Sequence, residues 1–420
     1  MRWRDPTAPA TVAAHETTTR HAGALYPLLH DVGHGTAGVW IGLDLLGGFF
    51  SYDPFELYGS GVLSNPNAVV FGQIGRGKSA LIKTYLLRQM AFGRQAFVVD
   101  PKGEYAALAA AVGQEALALR PGGPLRLNPL DLVGADGEEA SARRLQLLDS
   151  LAASSMGRDL TPRERAAIDV GLASVLAEGV TPTIPAVLDA MLSPTLEAAR
   201  AVRSSVTVLA EEGRDVALEL RRLVHGDLRG MFDAETSPSL AVDGPLVVLD
   251  LSALYGSPAL GVLMVCATAW LQGVIQHRSR NGRQVLLVVD EAWAILRDVA
   301  VARWLQATWK LSRAWGVANV AVLHRVSDLD GVGSVGSEQR SLALGLLADS
   351  ETRIIYAQPP GELEAAAEIL SLSPAEIEVL GRLGRGVALW KMGTHASLVR
   401  HVVGASERSL IDTDAAMRAP

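Results

Sequence analysis

The hydrophobic positions along the chain form two kinds of pattern, short continuous runs and longer stretches with helical spacing. Continuous runs rich in Val, Leu and Ile are typical of strands covered on both faces. They occur at residues 67–72, 95–100, 244–251, 284–293, 317–324, 352–358 and 386–392. A helical pattern at 78–93 separates the first two runs. This order of strand, helix and strand predicts a mostly parallel α/β sheet.

Two other stretches have different patterns. Residues 38–55 read as paired strands with glycine turns. Between about 135 and 230 the strand-like runs are missing and helix signals replace them: Thr161 and Glu164 form a capping box, and Gly179 is a stop signal. These patterns predict four parts, listed as an N-terminal arm (1–35), a first core part (36–134), an inserted all-α subdomain (135–230) and a second core part (231–420).

Composition and charge narrow the class of protein. Of the 420 residues, 49% are hydrophobic and 20% charged, which excludes global disorder. The net charge of −7 argues against the diffuse positive field of a nonspecific nucleic-acid binder, although it leaves room for a local basic channel. The single cysteine, Cys266, predicts a small buried side chain and a reducing compartment. The apolar run 259–275 is too short to span a bilayer and predicts a buried helix, and the N-terminal residues do not resemble a secretion signal.

A glycine-rich loop follows the first core strand. Residues 72–79 fit the pattern G-x-x-x-x-G-K-[ST], in which backbone N–H groups surround phosphates, the lysine reaches the β and γ oxygens and the hydroxyl binds Mg²⁺. The alternative is an ordinary glycine turn before a helix. The chain has 33 arginines and only five lysines, yet it has a lysine here, which favours phosphate binding. The residues expected to bind ATP are Gly72, Gln73, Gly75, Arg76, Gly77, Lys78, Ser79 and Ala80.

Acidic residues follow two other strands. Asp290 and Glu291 end the run at 284–293, where the first carboxylate is expected to bind Mg²⁺ with Ser79 and the second to accept a proton from the attacking water. Taken alone, such a pair is equally consistent with a solvated loop. The DPKGEY segment (residues 100–105) follows the second core strand and is expected near the nucleotide, unless it is only a turn that ends the strand.

In this order, the motifs resemble the HerA and FtsK-like superclass of P-loop motor ATPases, and within it the TraC-type ATPases of conjugative transfer and type IV secretion. The resemblance covers about residues 35 to 417. The stretches that carry it are GQIGRGKSALIK (72–83), VVDPKGEY (98–105), LNPLD (127–131), LLVVDEAW (286–293), LLADSETRIIY (346–356) and LIDTDAAM (410–417).

The resemblance implies a RecA-like core that works as a homo-hexamer at the cytoplasmic face of the inner membrane, attached through channel components of a conjugation or secretion machine. The expected activity is Mg²⁺-dependent ATP hydrolysis that drives pilus assembly or substrate transfer. A double-stranded DNA translocase and an ATP-gated assembly scaffold are the alternatives, and DNA is a candidate partner. TraC-type relatives usually carry an N-terminal docking domain, and the resemblance leaves open whether a separate polypeptide supplies it here.

Three further residues have roles that the sequence leaves open. Members of the superclass often have a glutamine after the strand that follows the acids, whereas this chain has His324, either a γ-phosphate sensor or a structural histidine. Arg353 is the first candidate and Arg385 the second for an arginine that acts on the neighbouring subunit's phosphates. Four tryptophans on an expected helix ending at Gly316 suit core or subunit packing, or stacking on single-stranded DNA. They are Trp293, Trp304, Trp309 and Trp315.

Overall fold

A single mixed sheet forms the centre of the molecule. The computed structural model describes residues 38–131, 137–226, 228–238, 240, 242–257, 259–279, 282–296, 299–324, 338–393 and 395–411. Within them the sheet has eleven strands in the order β2-β1-β11-β10-β9-β3-β8-β7-β4-β6-β5. Their bounds are β1 Val39–Asp44, β2 Phe49–Tyr52, β3 Ala68–Phe71, β4 Gln95–Asp100, β5 Leu117–Ala118, β6 Leu246–Asp250, β7 Val285–Val289, β8 Val317–Leu323, β9 Thr352–Tyr356, β10 Val387–Met392 and β11 His395–His401.

The sheet divides by strand direction. The seven strands from β9 to β5 are parallel to one another, and β10, β11, β1 and β2 extend the sheet in antiparallel pairs beyond β9. The mostly parallel α/β sheet expected from the apolar runs is therefore confirmed. The paired strands expected at 38–55 are β1 and β2, which join through a turn at Gly47 and Gly48.

Helices cover both faces of the sheet. Their bounds are α1 Pro54–Gly59, α2 Lys78–Ala91, α3 Ala106–Ala111, α4 Glu138–Met156, α5 Pro162–Ala177, α6 Ile184–Leu192, α7 Leu196–Ala201, α8 Val206–His225, α9 Leu260–Ser279, α10 Trp293–Leu296, α11 Val299–Leu311, α12 Glu338–Ala348, α13 Leu363–Leu370, α14 Pro374–Leu380 and α15 Arg408–Ile411. Side chains of β3 alternate between two apolar clusters: Val69 and Phe71 lie in one, Ala68 and Val70 in the other. This alternation explains why the strand reads as a continuous apolar run.

Five consecutive helices, α4 to α8, make up a helical section (residues 138–225). The capping box predicted at its second helix is present, because Thr161 Oγ1 accepts from Glu164 N–H and the Glu164 carboxylate accepts from Thr161 N–H. Leu148, Ile168 and Val216 of this section belong to the same apolar cluster as Val69 of the central sheet. The helical section and one face of the sheet therefore share a continuous core.

The apolar run at 259–275 forms α9 up to its last turn and is buried at residues such as Leu263, Leu271 and Cys266. The predicted buried helix and buried cysteine are thus confirmed. In the part of the chain that the structure describes, every helix is too short or too polar to span a bilayer.

The helix expected to run from the acidic pair to Gly316 ends before that glycine. It is described as α10 and α11, and a 3-10 turn, Ser312–Trp315, leads from α11 to Gly316. Trp309 is buried in the core. Trp315 packs against the same core, and the Arg143 guanidinium lies over the Trp315 ring. Both tryptophans therefore have a packing role. The side chain of Trp304 lies outside the described residues.

Candidate nucleotide-binding site

Four neighbouring strands bring the predicted site residues to one edge of the sheet. In the order β3-β8-β7-β4, the strands lead at their carboxyl ends into the glycine-rich loop, His324, the acidic pair and the DPKGEY segment. All four strands are parallel, so these four segments meet at the same edge, which is where ligands bind in open α/β sheets.

The glycine-rich loop (residues 72–79) is closely packed on Tyr356 of β9. A Cβ on residue 72 would stand 2.5 Å from the Cβ of Tyr356, so only glycine fits there. Gly77 has a φ of +115°, a conformation that L side chains rarely adopt, and its carbonyl oxygen accepts a 3.4 Å hydrogen bond from the Tyr356 hydroxyl. The two glycines of the motif are therefore required by the backbone path and by its neighbour.

Lys78 is the first residue of α2 and folds back over the loop. Its ammonium group is buried and donates to the carbonyl oxygens of Gly72 and of Gln73, the latter at 3.1 Å. Gly77 caps the helix without a side chain, so the first N–H groups of α2 have no side-chain oxygen from the cap as a partner. Ser79 and Ala80 follow at the start of the helix and are half-buried. An ammonium and helix N–H groups around one loop are the donors that a polyphosphate requires.

Gln73, Gly75 and Arg76 form the outer part of the loop. The guanidinium of Arg76 donates to the side-chain oxygen of Gln73, at 3.3 Å. Ile74, between them, is 80% exposed at the tip. The loop is also held from the antiparallel side of the sheet, because the N–H of Gly386 donates to the Arg76 carbonyl oxygen at 2.9 Å.

Asp290 lies directly after β7 and is buried. Its Oδ1 accepts from the N–H of Glu291 at 2.9 Å, and its Oδ2 accepts from the hydroxyl of Tyr105 at 3.2 Å. Burial, together with the charge of Glu291, raises the pKa of Asp290 to about 6. A bound cation would offset this cost, which makes Asp290 a suitable Mg²⁺ ligand.

Glu291 is buried and hydrogen-bonded, so it does not belong to a solvated loop. Only 1% of its side chain is exposed, and its backbone has a φ of +53°, which is strained for a residue with a side chain. Its Oε1 accepts from Lys102 and lies 2.6 Å from His324 Nε2, while its Oε2 accepts from the indole of Trp293. Burial would raise the pKa of Glu291, but the hydrogen bonds from His324 and Lys102 hold it down at about 2.

The DPKGEY segment lies beside both acids. Asp100 is fully buried and accepts from the N–H groups of Lys102 and Tyr105, at 3.2 and 2.9 Å, which fixes the turn. The segment then places Lys102 on Glu291 and Tyr105 on Asp290. Lys83 of α2 also lies over the Tyr105 ring, 5.4 Å from its centre. The segment is therefore more than a turn that ends the strand.

The three residues with open roles lie in different places. His324 contacts Glu291, and its other ring nitrogen, Nδ1, is buried with no hydrogen-bond partner among the described residues. Arg385 is exposed and precedes Gly386, so its backbone adjoins the glycine-rich loop of its own chain. Arg353 pairs with Val69, two residues before the end of β3, and donates to the carbonyl oxygen of Leu370 at 3.0 Å. The structure thus brings His324 and Arg385 to this edge of the sheet and leaves Arg353 away from it.

Two residues at this edge were missed by the sequence reasoning. Tyr356 supports the glycine-rich loop from a strand almost 300 residues away, and no local pattern signals that contact. Gln358, just beyond β9, is buried, and its Oε1 has no partner among the described residues. The signal for Gln358 is present in the sequence, since a glutamine directly after a core strand is the type of residue expected for the sensor.

The donor set also determines which cofactor fits. Within the described ranges, no group of three or more His, Cys, Asp and Glu side chains converges as a metal site. Mg²⁺ bound with a nucleotide does not require one, because it usually takes one or two carboxylates together with phosphate oxygens and water. One hydroxyl, Ser79, and one carboxylate, Asp290, are therefore consistent with a nucleotide-bound Mg²⁺.

Comparison with known structures gives a clear match of fold. VirB4 of Thermoanaerobacter pseudethanolicus superimposes with a TM-score of 0.72 at 22% identity, over 90% of this chain and 99% of that chain. The chain has the VirB4 fold. The match to VirB4 leaves only a tenth of this chain uncovered.

The conjugative coupling protein TrwB has a similar fold. Its complex with ADP and Mg²⁺ matches with a TM-score of 0.56 at 16% identity, over 91% of this chain and 92% of that chain. Its complex with the non-hydrolysable ATP analogue ADPNP matches with a TM-score of 0.55 at 15% identity, over the same fractions. No protein-family model and no curated protein matches the sequence. The expected likeness to ATPases of conjugation and secretion is confirmed for the fold.

Proposed function

We propose that the protein is a Mg²⁺-dependent P-loop ATPase that powers conjugative DNA transfer or type IV secretion. The observation that carries the proposal is the meeting of the glycine-rich loop and the acidic pair at one edge of a sheet with the VirB4 fold. TrwB, of similar fold, has been solved with ADP and Mg²⁺ and with an ATP analogue, which supports the same cofactors here.

Each residue has a proposed role. Lys78 and the N–H groups of the glycine-rich loop bind the phosphates, for which Lys78 must exchange the Gly72 and Gln73 carbonyls for phosphate oxygens. Ser79 and Asp290 would hold Mg²⁺, which when bound neutralises negative charge on the phosphate oxygens. Glu291 accepts the proton of the attacking water, and His324 orients that water or the γ-phosphate.

The assembly and organisation are part of the proposal. The core (residues 36–134 and 231–420) carries the site and residues 135–230 form an inserted helical subdomain. The chain works as a homo-hexamer, bound peripherally to the cytoplasmic membrane face through channel components. Arg353 and Arg385 are the candidates for the arginine that acts on a neighbouring subunit. Arg385 is exposed, whereas Arg353 is half-buried and donates to the Leu370 carbonyl oxygen.

The first test measures ATP hydrolysis and ATP binding together. Wild type is expected to hydrolyse ATP only with Mg²⁺. Lys78→Ala should lose both binding and turnover, and Glu291→Gln should bind ATP but turn it over at least a hundredfold more slowly. Lys310→Ala changes a lysine that is 58% exposed and should behave as wild type. Normal turnover in Glu291→Gln would remove Glu291 from the mechanism.

The likeness to a conjugative coupling protein favours DNA translocation as a second candidate. The net charge of −7 weighs against it. Stimulation of hydrolysis by double-stranded DNA that falls steeply with added salt would support translocation. An ATP-gated scaffold would instead assemble with bound ATP and support transfer equally well with Glu291→Gln, so oligomer size and transfer should both be measured in that variant.

A further inference from the structure

Lys102 is the one partner of Glu291 that comes from the DPKGEY segment. Its ammonium bonds to Glu291 Oε1, the same oxygen that lies 2.6 Å from His324 Nε2. The Lys102 ammonium and His324 Nε2 are 3.2 Å apart. Because an ammonium only donates, both groups reach Glu291 as donors when His324 Nε2 carries a proton. One carboxylate oxygen is therefore held from two neighbouring strands.

The contact from Lys102 is built into the fold. Asp100 fixes the backbone of the turn, and the Lys102 side chain is only 22% exposed and lies 5.8 Å from the centre of the Tyr255 ring. Although burial lowers it, the pKa of Lys102 lies above its ordinary value because of Glu291, so the ammonium stays charged. A charged, half-buried lysine on a fixed turn has few other orientations available.

Glu291 needs such a support. A residue at a positive φ is strained by about 1 to 3 kcal/mol and keeps that conformation only where its surroundings impose it. Trp293 follows Glu291 by two residues, so its indole contact with Oε2 is made within one segment of the chain. Among the described residues, Lys102 and His324 are the ones that reach the Glu291 carboxylate from other strands, and they fix it relative to the rest of the edge.

We propose that Lys102 is a positioning residue for hydrolysis, which aims the Glu291 carboxylate at the attacking water without touching the nucleotide. This inference rests on the proposed ATPase function. It predicts that Lys102 contributes to turnover and not to nucleotide binding. The sheet order separates Lys102 from the glycine-rich loop by the strands that carry the acids and His324.

The test compares Lys102→Met and Lys102→Arg with Lys310→Met, the same change at an exposed lysine. For Lys102→Met, the expected kcat falls at least tenfold while the dissociation constant for ATP stays within threefold of wild type. Lys102→Arg should recover part of the kcat, because it restores a donor to Oε1. Lys310→Met should match wild type. A kcat unchanged in Lys102→Met, or a loss of ATP binding that parallels the loss of turnover, would overturn the proposal.

A crystal structure of Lys102→Met provides a readout that does not depend on turnover. The Glu291 carboxylate is expected to leave its contact with His324 while β7 and the glycine-rich loop stay in place. An unmoved carboxylate contradicts the assignment. If wild type binds ATP but does not hydrolyse it, the proposed function fails. The position of Glu291 in the Lys102→Met crystal structure then still tests whether Lys102 positions the carboxylate.

Discussion

Tyr356 and Gly72 are in such close contact that a single added methyl group at residue 72 would stand 2.5 Å from the tyrosine Cβ. The tyrosine is buried on the strand next to β3, so it has no room to withdraw. The glycine-rich loop therefore takes its shape from a strand that follows it by almost 300 residues. This contact makes the loop sensitive to changes on either side.

Gly72→Ala is expected to weaken ATP binding and to lower the free energy of unfolding by roughly 1 to 3 kcal/mol, the usual cost of overpacking a tight site. Urea unfolding and ATP titration measure the two effects. Gly361→Ala makes the same substitution where no atom lies within 4 Å and should change neither quantity. Equal behaviour of the two variants would show that Tyr356 yields.

Two substitutions of Tyr356 should distinguish the contribution of its ring from that of its hydroxyl to stability and ATP binding. The 3.4 Å hydrogen bond to Gly77 is long, so Tyr356→Phe should change stability by less than about 1 kcal/mol and leave ATP binding intact. Tyr356→Ala removes a fully buried ring and should cost about 3 to 5 kcal/mol of unfolding free energy, with weaker ATP binding. Similar losses in both variants would assign the effect to the hydroxyl instead.

Glu164 should make the protein less stable in acid. The Arg158 guanidinium and the cap at Thr161 hold the pKa of Glu164 at about 2, below its ordinary value of 4.5. A depressed carboxylate pKa stabilises the fold above pH 4.5, and that contribution is lost as the pH falls towards 2. The difference in unfolding free energy between wild type and Glu164→Gln should therefore be largest near neutral pH and shrink below pH 4.5. A difference that is constant from pH 7 to pH 3 would contradict this.

His401 should destabilise the fold over a higher pH range. Burial, with the nearby Arg88, lowers the pKa of His401 to about 4 from an ordinary 6.5. Below pH 6.5 His401 binds a proton in the unfolded chain, whereas in the folded chain it stays neutral down to about pH 4. The free energy of unfolding therefore falls as the pH drops across this range. In His401→Gln, urea unfolding measured between pH 7 and pH 4 should show a flatter dependence. An unchanged slope would mean that other groups dominate.

The features whose place in the fold the sequence predicted correctly are those with local causes. The loop motif, the acids after β7 and the capping box at Thr161 each depend on residues within a few positions of one another. The contacts that shape the site join distant segments: Gly386 to Arg76, Tyr356 to Gly72 and Lys102 to Glu291. No spacing in one chain encodes such pairs, because they follow from the order of strands in the sheet.

The antiparallel strands β10, β11, β1 and β2 are another case in which local sequence does not reveal which strands pair. The apolar run of β10 signals a strand, but nothing local indicates that β11 pairs with β1 near the start of the described chain. The helix expected up to Gly316 ends at Leu311, because periodicity does not distinguish the 3-10 turn Ser312–Trp315 from a last turn of α-helix.

The apolar cluster common to the helical section and the sheet has a consequence for how the molecule unfolds. Leu148, Ile168 and Val216 complete the same core as Val69 and Phe97, so neither part can lose its partner without exposing an apolar face to water. The helices are thus not a module that can be excised, although they are contiguous in sequence. Denaturation should melt helices and sheet in one cooperative transition, and a protein cut down to its strands would aggregate.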